Sequence, residues 1–283
     1  MDKTTRTNDM RSYRIGDYAR YMGVTPDFLK HYEQFRLVSS VARENGYRYY
    51  PFSQSFKILE CMRLRNYGIP IRDMDVLLHD EDMPDVMRRL DARVDTLRQR
   101  IAFEQAVVDE HERMSAWLAN MQGKREDWRV ISGEATYFLP HTSERNFLKD
   151  ERIYDVLNGF IGCMPMVKSC MRIRHAPGET LPPQLGRDYA WGLCVPVRVA
   201  QALRIPINDA VQTLPPRKLF WFDFCEFEHT QGETNQPGPY AAMAERMRAM
   251  NLRPSGDIYM TMLMYTHVGG PSCRYGYFAA PLD

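Results

Sequence analysis

Arg48 lies between Tyr47 and Tyr49, two residues after an Asn45-Gly46 pair. A guanidinium flanked by phenols binds phosphate oxygens by charge and by hydrogen bonding. Asn-Gly supplies the positive-φ turn that a tight hairpin needs to present them. Arg14 precedes this stretch, Arg43 begins it, and Arg63 and Arg65 follow it. A second group of reactive side chains lies in KLFWFDFCEFEH, residues 218–229. Strand periodicity puts Phe220, Phe222, Phe224, Glu226 and Glu228 on one face and Trp221, Asp223, Cys225 and Phe227 on the other. A carboxylate among aromatics is costly unless it meets a partner or a ligand. Such a setting suits planar or cationic organic compounds. The six cysteines are scattered without a CxxC spacing and read as buried thiols, so neither a metal nor a cofactor is expected. His175, His229 and Glu228 form no diagnosable nucleophile–base spacing, so no catalytic residues and no enzymatic activity are expected.

These groups need elements to hold them. RIGDYARYMGV, residues 14–24, spaces its apolar residues for one helix face and is broken by Gly23. TPDFLKHYEQFRL follows, with Thr25 as N-cap and Pro26 at the first helical position. Two short helices around a glycine turn make a helix-turn-helix candidate. Further helices are expected at residues 53–67 and 70–79. A long helical pattern then runs from Pro84 to Met121. Leu90, Val94, Leu97, Ile101, Glu104, Val108, His111, Ser115 and Leu118 alternate spacings of four and three along it, an imperfect heptad seam. It reads either as an intermolecular coiled coil or as a long amphipathic helix packed on its own domain. Beyond Gly123 the pattern becomes strand, helix, strand, strand, and then the same again. The expected fold is α+β and multidomain: a winged helix-turn-helix at 12–80, a dimerisation helix at 81–122 and a duplicated βαββ domain at 126–283. Leu90, Val94, Leu97, Ile101, Val108 and Leu118 are the candidate dimer contacts.

Charge is uneven although the net value is only +1. Residues 1–75 carry 13 Lys/Arg against 9 Asp/Glu, whereas residues 76–123 carry 6 against 10. A mildly basic N-terminal part is what a nucleic-acid reader would have. No run approaches the ~18 apolar residues of a membrane span. The N-terminal stretch lacks an apolar signal region, so a cytoplasmic location without membrane partners is expected.

IGDYARYMGVTPDFLKHYEQFRLV followed by ARENGYRYY resembles the DNA-binding domain of the MerR family of transcription regulators. The resemblance rests on Tyr32-Glu33, Leu37 and Glu44-Asn45-Gly46-Tyr47-Arg48-Tyr49-Tyr50, and it covers about residues 14–78. It departs from the family pattern at Lys30-His31 and at Arg36, where a glycine is usual. The resemblance implies a dimer on promoter DNA that distorts the double helix when ligand binds and so acts on RNA polymerase indirectly. Arg14, Thr25, Asp27, Lys30, His31, Tyr32, Arg43, Arg48, Tyr49 and Arg63 are the implied DNA contacts. Core packing is the competing reading for the tyrosines; it is preferred for Tyr50 and Phe52, and Tyr47 is expected with Tyr50 to hold the wing to its domain, while Tyr49 is expected to face phosphate. Metal-sensing relatives place cysteines around the dimer helix, and residues 76–123 contain none.

The C-terminal half resembles the gyrase-inhibitor-like effector domain of drug-sensing members of the family. That implies a small aromatic or hydrophobic effector, cationic in many such proteins, neutralised by a glutamate on a late strand. Met260 stands near that glutamate's place. The candidate effector residues are Glu134, Tyr137, Tyr189, Trp191, Phe222, Phe224, Glu226, Tyr259 and Met262, with Asp223 as a further acid. Three functions remain open at this point: a ligand-responsive regulator, a DNA binder whose C-terminal domain no longer takes ligand, and a domain similar to small hydrolases.

Overall fold

The computed structural model describes residues 11–43, 46–186, 188–227, 238–267 and 272–283. They form two compact units, Met1–Arg100 and Ile101–Asp283, and the division falls inside one long helix.

In the first unit β1 (Ser12–Arg14) leads directly into α1 (Ile15–Met22), which ends at Gly23 with φ 67°. A side chain in that left-handed conformation would cost roughly 1–2 kcal/mol, so glycine suits the position. α2 (Pro26–Gln34) starts where the Thr25 hydroxyl accepts a hydrogen bond from the Phe28 N–H at 3.1 Å. The chain leaves α2 through Arg36, whose φ is 57°. The N–H groups of Arg36 and Leu37 bond back to the carbonyls of Glu33 and Tyr32. A glycine would hold this left-handed turn without strain, and this chain holds it with an arginine. β2 (Val41–Ala42) and β3 (Arg48–Pro51) form a hairpin, and β3 also pairs with β1. Gly46 turns the hairpin with φ 72°, its N–H donating to the Arg43 carbonyl at 2.8 Å. Glu44 and Asn45 lie outside the described residues. α3 (Gln54–Asn66), α4 (Ile71–His79) and the start of α5 (Met83–Met121) complete the core. Tyr18, Leu29, Tyr32, Tyr50, Ile58 and Leu90 are buried together there. Arg93 of α5 donates to the Tyr67 carbonyl at the end of α3, 2.7 Å away.

The second unit contains β4 (Glu126–Ser132), β5 (Thr136–Pro140), β6 (Thr142–Ser143), β7 (Asn146–Phe147), α6 (Glu151–Ile161), β8 (Lys168–Ile173) and β9 (Tyr189–Pro196). α7 (Val197–Ala202), β10 (Gln212–Leu214), β11 (Lys218–Phe227), α8 (Pro239–Ala249), β12 (Ile258–His267) and β13 (Ser272–Leu282) follow. Eight strands make one antiparallel sheet in the order β10-β5-β9-β8-β12-β13-β11-β4, and β6 with β7 forms a small hairpin. α6 begins only at Glu151, because Asn146–Phe147 is taken up by β7.

Both helices that fill the core lie on one face of this sheet. Leu193 and Val195 of β9 pack with Ile153, Val156 and Phe160 of α6. Met171 and Ile173 of β8 pack with Met243, Ala244 and Met247 of α8. The register places Met171 opposite Trp191 and Ser169 opposite Leu193, so the odd-numbered residues of β8 and β9 share a face. Phe220, Phe222 and Phe224 of β11 join the α8 cluster. The opposite face carries Lys168, Cys170, Cys194, Tyr259, Thr261, Tyr277, Trp221 and Asp223, as the cross-strand register requires.

Candidate functional site

The N-terminal unit presents cations on short elements above a buried aromatic layer. Arg14, at the start of α1, donates from Nε to the Tyr49 hydroxyl at 3.2 Å, and its guanidinium stands 4.8 Å from the Tyr47 ring centre. Arg43 lies 4.2 Å from the Tyr49 ring centre and donates to the Ser12 hydroxyl at 2.6 Å. Arg48 bridges the hairpin to α2 through Glu33, 3.1 Å away. On α2, Lys30 and Asp27 form an exposed pair at 3.0 Å, which gives Asp27 a partner on the protein itself. His31 is exposed and meets the Phe35 ring edge-on at 5.2 Å. Arg63 is exposed on α3 and pairs with Glu60 at 2.5 Å. Thr25 caps α2. The outcome is an exposed set of basic side chains, each oriented by a neighbour. That is the arrangement a phosphate backbone selects, because such contacts fix register rather than sequence.

Two tyrosines exchange the roles expected of them. Tyr49 is buried and Tyr47 is 56% exposed. β1 and β2 flank β3, so Tyr49 lies between Arg14 and Val41 in the sheet while Tyr47 precedes the paired stretch. Tyr49 therefore serves as the platform for Arg14 and Arg43, and Tyr47 is the phenol that faces outward. Tyr32 is also a core residue rather than a surface one, stacked on Phe28 at 3.9 Å. Tyr50 is fully buried and stacks on Tyr18 at 5.3 Å, while Phe52, expected in the core, is exposed.

The long helix divides its candidate dimer contacts. Leu90 is buried in the N-terminal core, and Val94 and Leu97 are half-buried. Ile101, Val108 and Leu118 remain 65%, 50% and 54% exposed. Leu90 is thus spent within its own unit, and three apolar side chains of the seam stay in solvent.

In the C-terminal unit the sheet face opposite α6 and α8 holds a cavity of about 680 Å³. Trp221, Tyr259 and Tyr277 supply its aromatic wall, and Met166, Leu214 and Leu219 supply apolar surface. The Trp221 and Tyr277 rings stack at 3.8 Å. Burial raises the pKa of both Tyr259 and Tyr277, so these phenols stay neutral and available as donors. The charged lining residues are largely engaged already. Glu134 accepts from Arg198 at 2.6 Å, Asp257 lies 3.8 Å from Arg172, and Lys168 pairs with Glu110 at 2.9 Å.

Asp223 is fully buried beside this wall. Its carboxylate accepts from the Trp221 indole at 2.8 Å, from the Trp117 indole at 2.8 Å and from Arg129 at 2.5 Å. A buried carboxylate is tolerated only when donors and a cation replace water, and here two indoles and a guanidinium do so. Trp117 belongs to α5, as does Glu110, which lies one heptad earlier and holds Lys168. Two side chains of the cavity wall are therefore tied to one face of the long helix.

Of the nine effector residues expected from sequence, Glu134 and Tyr259 line the cavity. Tyr137 packs on the α6 cluster, and Tyr189, Trp191, Met262, Phe222 and Phe224 pack with the α8 cluster. Strand parity accounts for this. On β11, and on β12 as far as Met262, the even-numbered residues face α8, so the odd-numbered Trp221, Tyr259 and Thr261 reach the cavity. Glu226 is off the cavity and pairs with Arg274 at 2.8 Å. Met260 packs on the α8 cluster, so an acid in its place would not enter this cavity. Lys168, Cys170, Cys194, Trp221, Thr261 and Tyr277 were missed. The one local signal for them was Asp223: a strand acid that needs partners marks its own face, and Trp221 shares that face. Glu228 and His229 lie outside the described residues. Among the described residues no cluster of three or more His, Cys, Asp or Glu forms a metal site, and no helix is long and apolar enough to cross a membrane.

A short two-helix reader with a β-hairpin wing and outward cations defines a winged helix-turn-helix DNA-binding domain. Residues 13–81 match the model of the MerR HTH family regulatory protein, and the N-terminal unit is a MerR-type helix-turn-helix domain. The chain is 29% identical over 126 residues to the transcriptional regulator BrlR of Pseudomonas aeruginosa. That match covers 43% of this chain and 47% of BrlR, so it spans about half the length of the relative. The EcmrR–DNA complex in EcmrR-RPo, solved by cryo-EM, is 14% identical and covers 96% of this chain and 99% of that one, with a TM-score of 0.36. A hydrolase from Listeria innocua is 10% identical and covers 56% of this chain and 92% of that one, with a TM-score of 0.33.

Proposed function

We propose that the chain is a ligand-responsive transcription regulator. It binds promoter DNA as a homodimer through the N-terminal units and takes a planar aromatic compound in the C-terminal cavity. The stacked Trp221 and Tyr277 favour a flat apolar ligand. Glu134 and Asp257 already face arginines, so the reading does not require a cationic one. The cavity binds its ligand rather than converting it. Ile101, Val108 and Leu118 supply exposed apolar surface for the helix of a second chain. The two runs β5-α6-β8-β9 and β11-α8-β12-β13 are read as copies of one βαββ unit, since each pairs its first strand with its last.

The observation that carries this reading is Asp223, which one indole of the cavity wall and one indole of α5 share. A ligand that stacks on Trp221 alters one donor of that carboxylate and so acts on the other, on the helix that continues from the DNA-reading unit. The ligand's preference for one of the two arrangements supplies the free energy of the switch. Activation follows when the dimer bends and untwists the promoter and realigns it for RNA polymerase.

A gel shift on the chain's own upstream region, with a thermal-shift screen of planar aromatic compounds and transcription from that template, tests the proposal. Stabilisation by a compound together with altered transcript yield is expected. DNA binding that no compound modifies would instead indicate a constitutive binder.

A further inference from the structure

Four of the six cysteines occur in two pairs on the sheet face opposite α6 and α8, although the sequence scatters them. Cys225 of β11 and Cys273 of β13 have their sulfurs 3.4 Å apart. The register sets Cys225 opposite Tyr275 and Phe227 opposite Cys273, so the two cysteines are diagonal neighbours pointing to one side. Their sulfurs need to approach by only about 1.4 Å to reach the ~2.05 Å of a disulfide. Cys225 is half-buried and Cys273 is buried. A reagent from solvent therefore meets Cys225 first, with Cys273 behind it as the resolving thiol. The other pair differs: the Thr261 hydroxyl lies 3.7 Å from the Cys170 sulfur and 3.9 Å from that of Cys194, occupying both thiols.

We propose that Cys225 and Cys273 are a redox-sensitive thiol pair that closes to a disulfide on exposure to hydrogen peroxide. The Cys225 thiolate attacks one peroxide oxygen, the O–O bond breaks and a water leaves, giving a sulfenic acid. The Cys273 sulfur then attacks the Cys225 sulfur, the S–S bond forms, the S–O bond breaks and a second water leaves. The two thiol protons end in the two waters, and the two electrons pass from the sulfurs to the peroxide oxygens. Burial, reinforced by Cys273, pushes the Cys225 thiol up to about 12. The thiolate is the reacting form, so the rate grows about tenfold per pH unit below that value.

The position of the pair provides a spectroscopic report. Tyr275 is hydrogen-bonded to Cys273, which with burial pushes its phenol up to about 12. Its ring meets Trp117 edge-on at 6.1 Å. Forming the disulfide removes the Cys273 thiol from that contact beside the α5 tryptophan.

The test uses the full chain, prepared reduced and exposed to hydrogen peroxide at pH 7 and pH 8.5, with free thiols then alkylated and the digest read by mass spectrometry. The expected product is a Cys225–Cys273 crosslinked peptide that dithiothreitol reverses and that forms about thirtyfold faster at the higher pH. Its formation should change tryptophan fluorescence in the wild type and not in Trp117→Phe. Cys170→Ser should retain the crosslink. The proposal is overturned if peroxide leaves Cys225 and Cys273 alkylatable, drives Cys225 to a stable sulfinic acid, or links either to a different cysteine. The primary reading is made on the wild type, so it does not depend on any variant folding.

Discussion

The two units solve opposite placement problems. The N-terminal unit keeps its working side chains outside: Arg14, Arg43 and Arg48 stand over Tyr47, Tyr49 and Glu33, and each is oriented by one or two neighbours. The C-terminal unit turns its working side chains onto one face of a sheet whose other face is core. In the first, a change of residue alters a surface contact and spares the packing. In the second, adjacent residues on one strand serve different ends, so Trp221 belongs to the cavity and Phe222 to the α8 cluster. A surface reader can be altered residue by residue, whereas a cavity built on a sheet carries its stability one position away.

That contrast can be broken most sharply on β11. Phe222→Ala removes a fully buried ring and should cost on the order of 3–5 kcal/mol in urea unfolding, with ligand contacts left in place. Trp221→Ala should cost less stability and should lose the thermal shift given by a cavity-binding compound. Equal losses of stability from both would show that the two faces are not distinct.

Asp223→Ala comes next. It leaves Arg129 and two indoles without their acceptor, a loss of roughly 3 kcal/mol by analogy with broken buried pairs, discounted because Arg129 is part-exposed. Near-UV circular dichroism should report it through Trp117 and Trp221. An unchanged spectrum and an unchanged unfolding midpoint would contradict the shared role of that carboxylate.

In the N-terminal unit the expected effects are smaller. Arg48→Ala should weaken binding to DNA of any sequence and lower the slope of log K against log salt by about one, with little change in stability, because its pair with Glu33 is solvent-exposed. A loss confined to one DNA sequence would make Arg48 a base reader instead. Smallest is Arg36→Gly, which should raise stability by about 1 kcal/mol by relieving the left-handed backbone at φ 57°. A lower melting temperature in that variant would mean that the arginine side chain, 3.6 Å from Asp75, outweighs the strain.

The same contrast explains what could be read from the sequence. The helix-turn-helix, the Gly46 turn and the exposed cations depend on residues close in the chain, so local capping and turn chemistry reveal them. The exchange of roles between Tyr47 and Tyr49 did not show, because it depends on β1 and β2 flanking β3. In the C-terminal unit the alternation on β11 was legible, and so was the need of Asp223 for partners. Which face meets α6 and α8 was not. Trp117 lies 106 residues from Asp223, and no local pattern joins them. The aromatic richness of both faces made the core side look like the ligand side, which is why Phe222, Phe224, Trp191 and Met262 were expected in the cavity. Glu226 looked like a pocket acid for the same reason, until its register partner Arg274 accounted for it.

The odd-numbered face of β11 is proposed to receive the ligand. Isothermal titration of a compound selected by thermal shift into the wild type, Trp221→Ala and Glu226→Gln tests it most directly. Affinity should fall at least about tenfold, or 1.4 kcal/mol, in Trp221→Ala and stay unchanged in Glu226→Gln. Retained affinity in Trp221→Ala, with the loss appearing in Glu226→Gln, would contradict it.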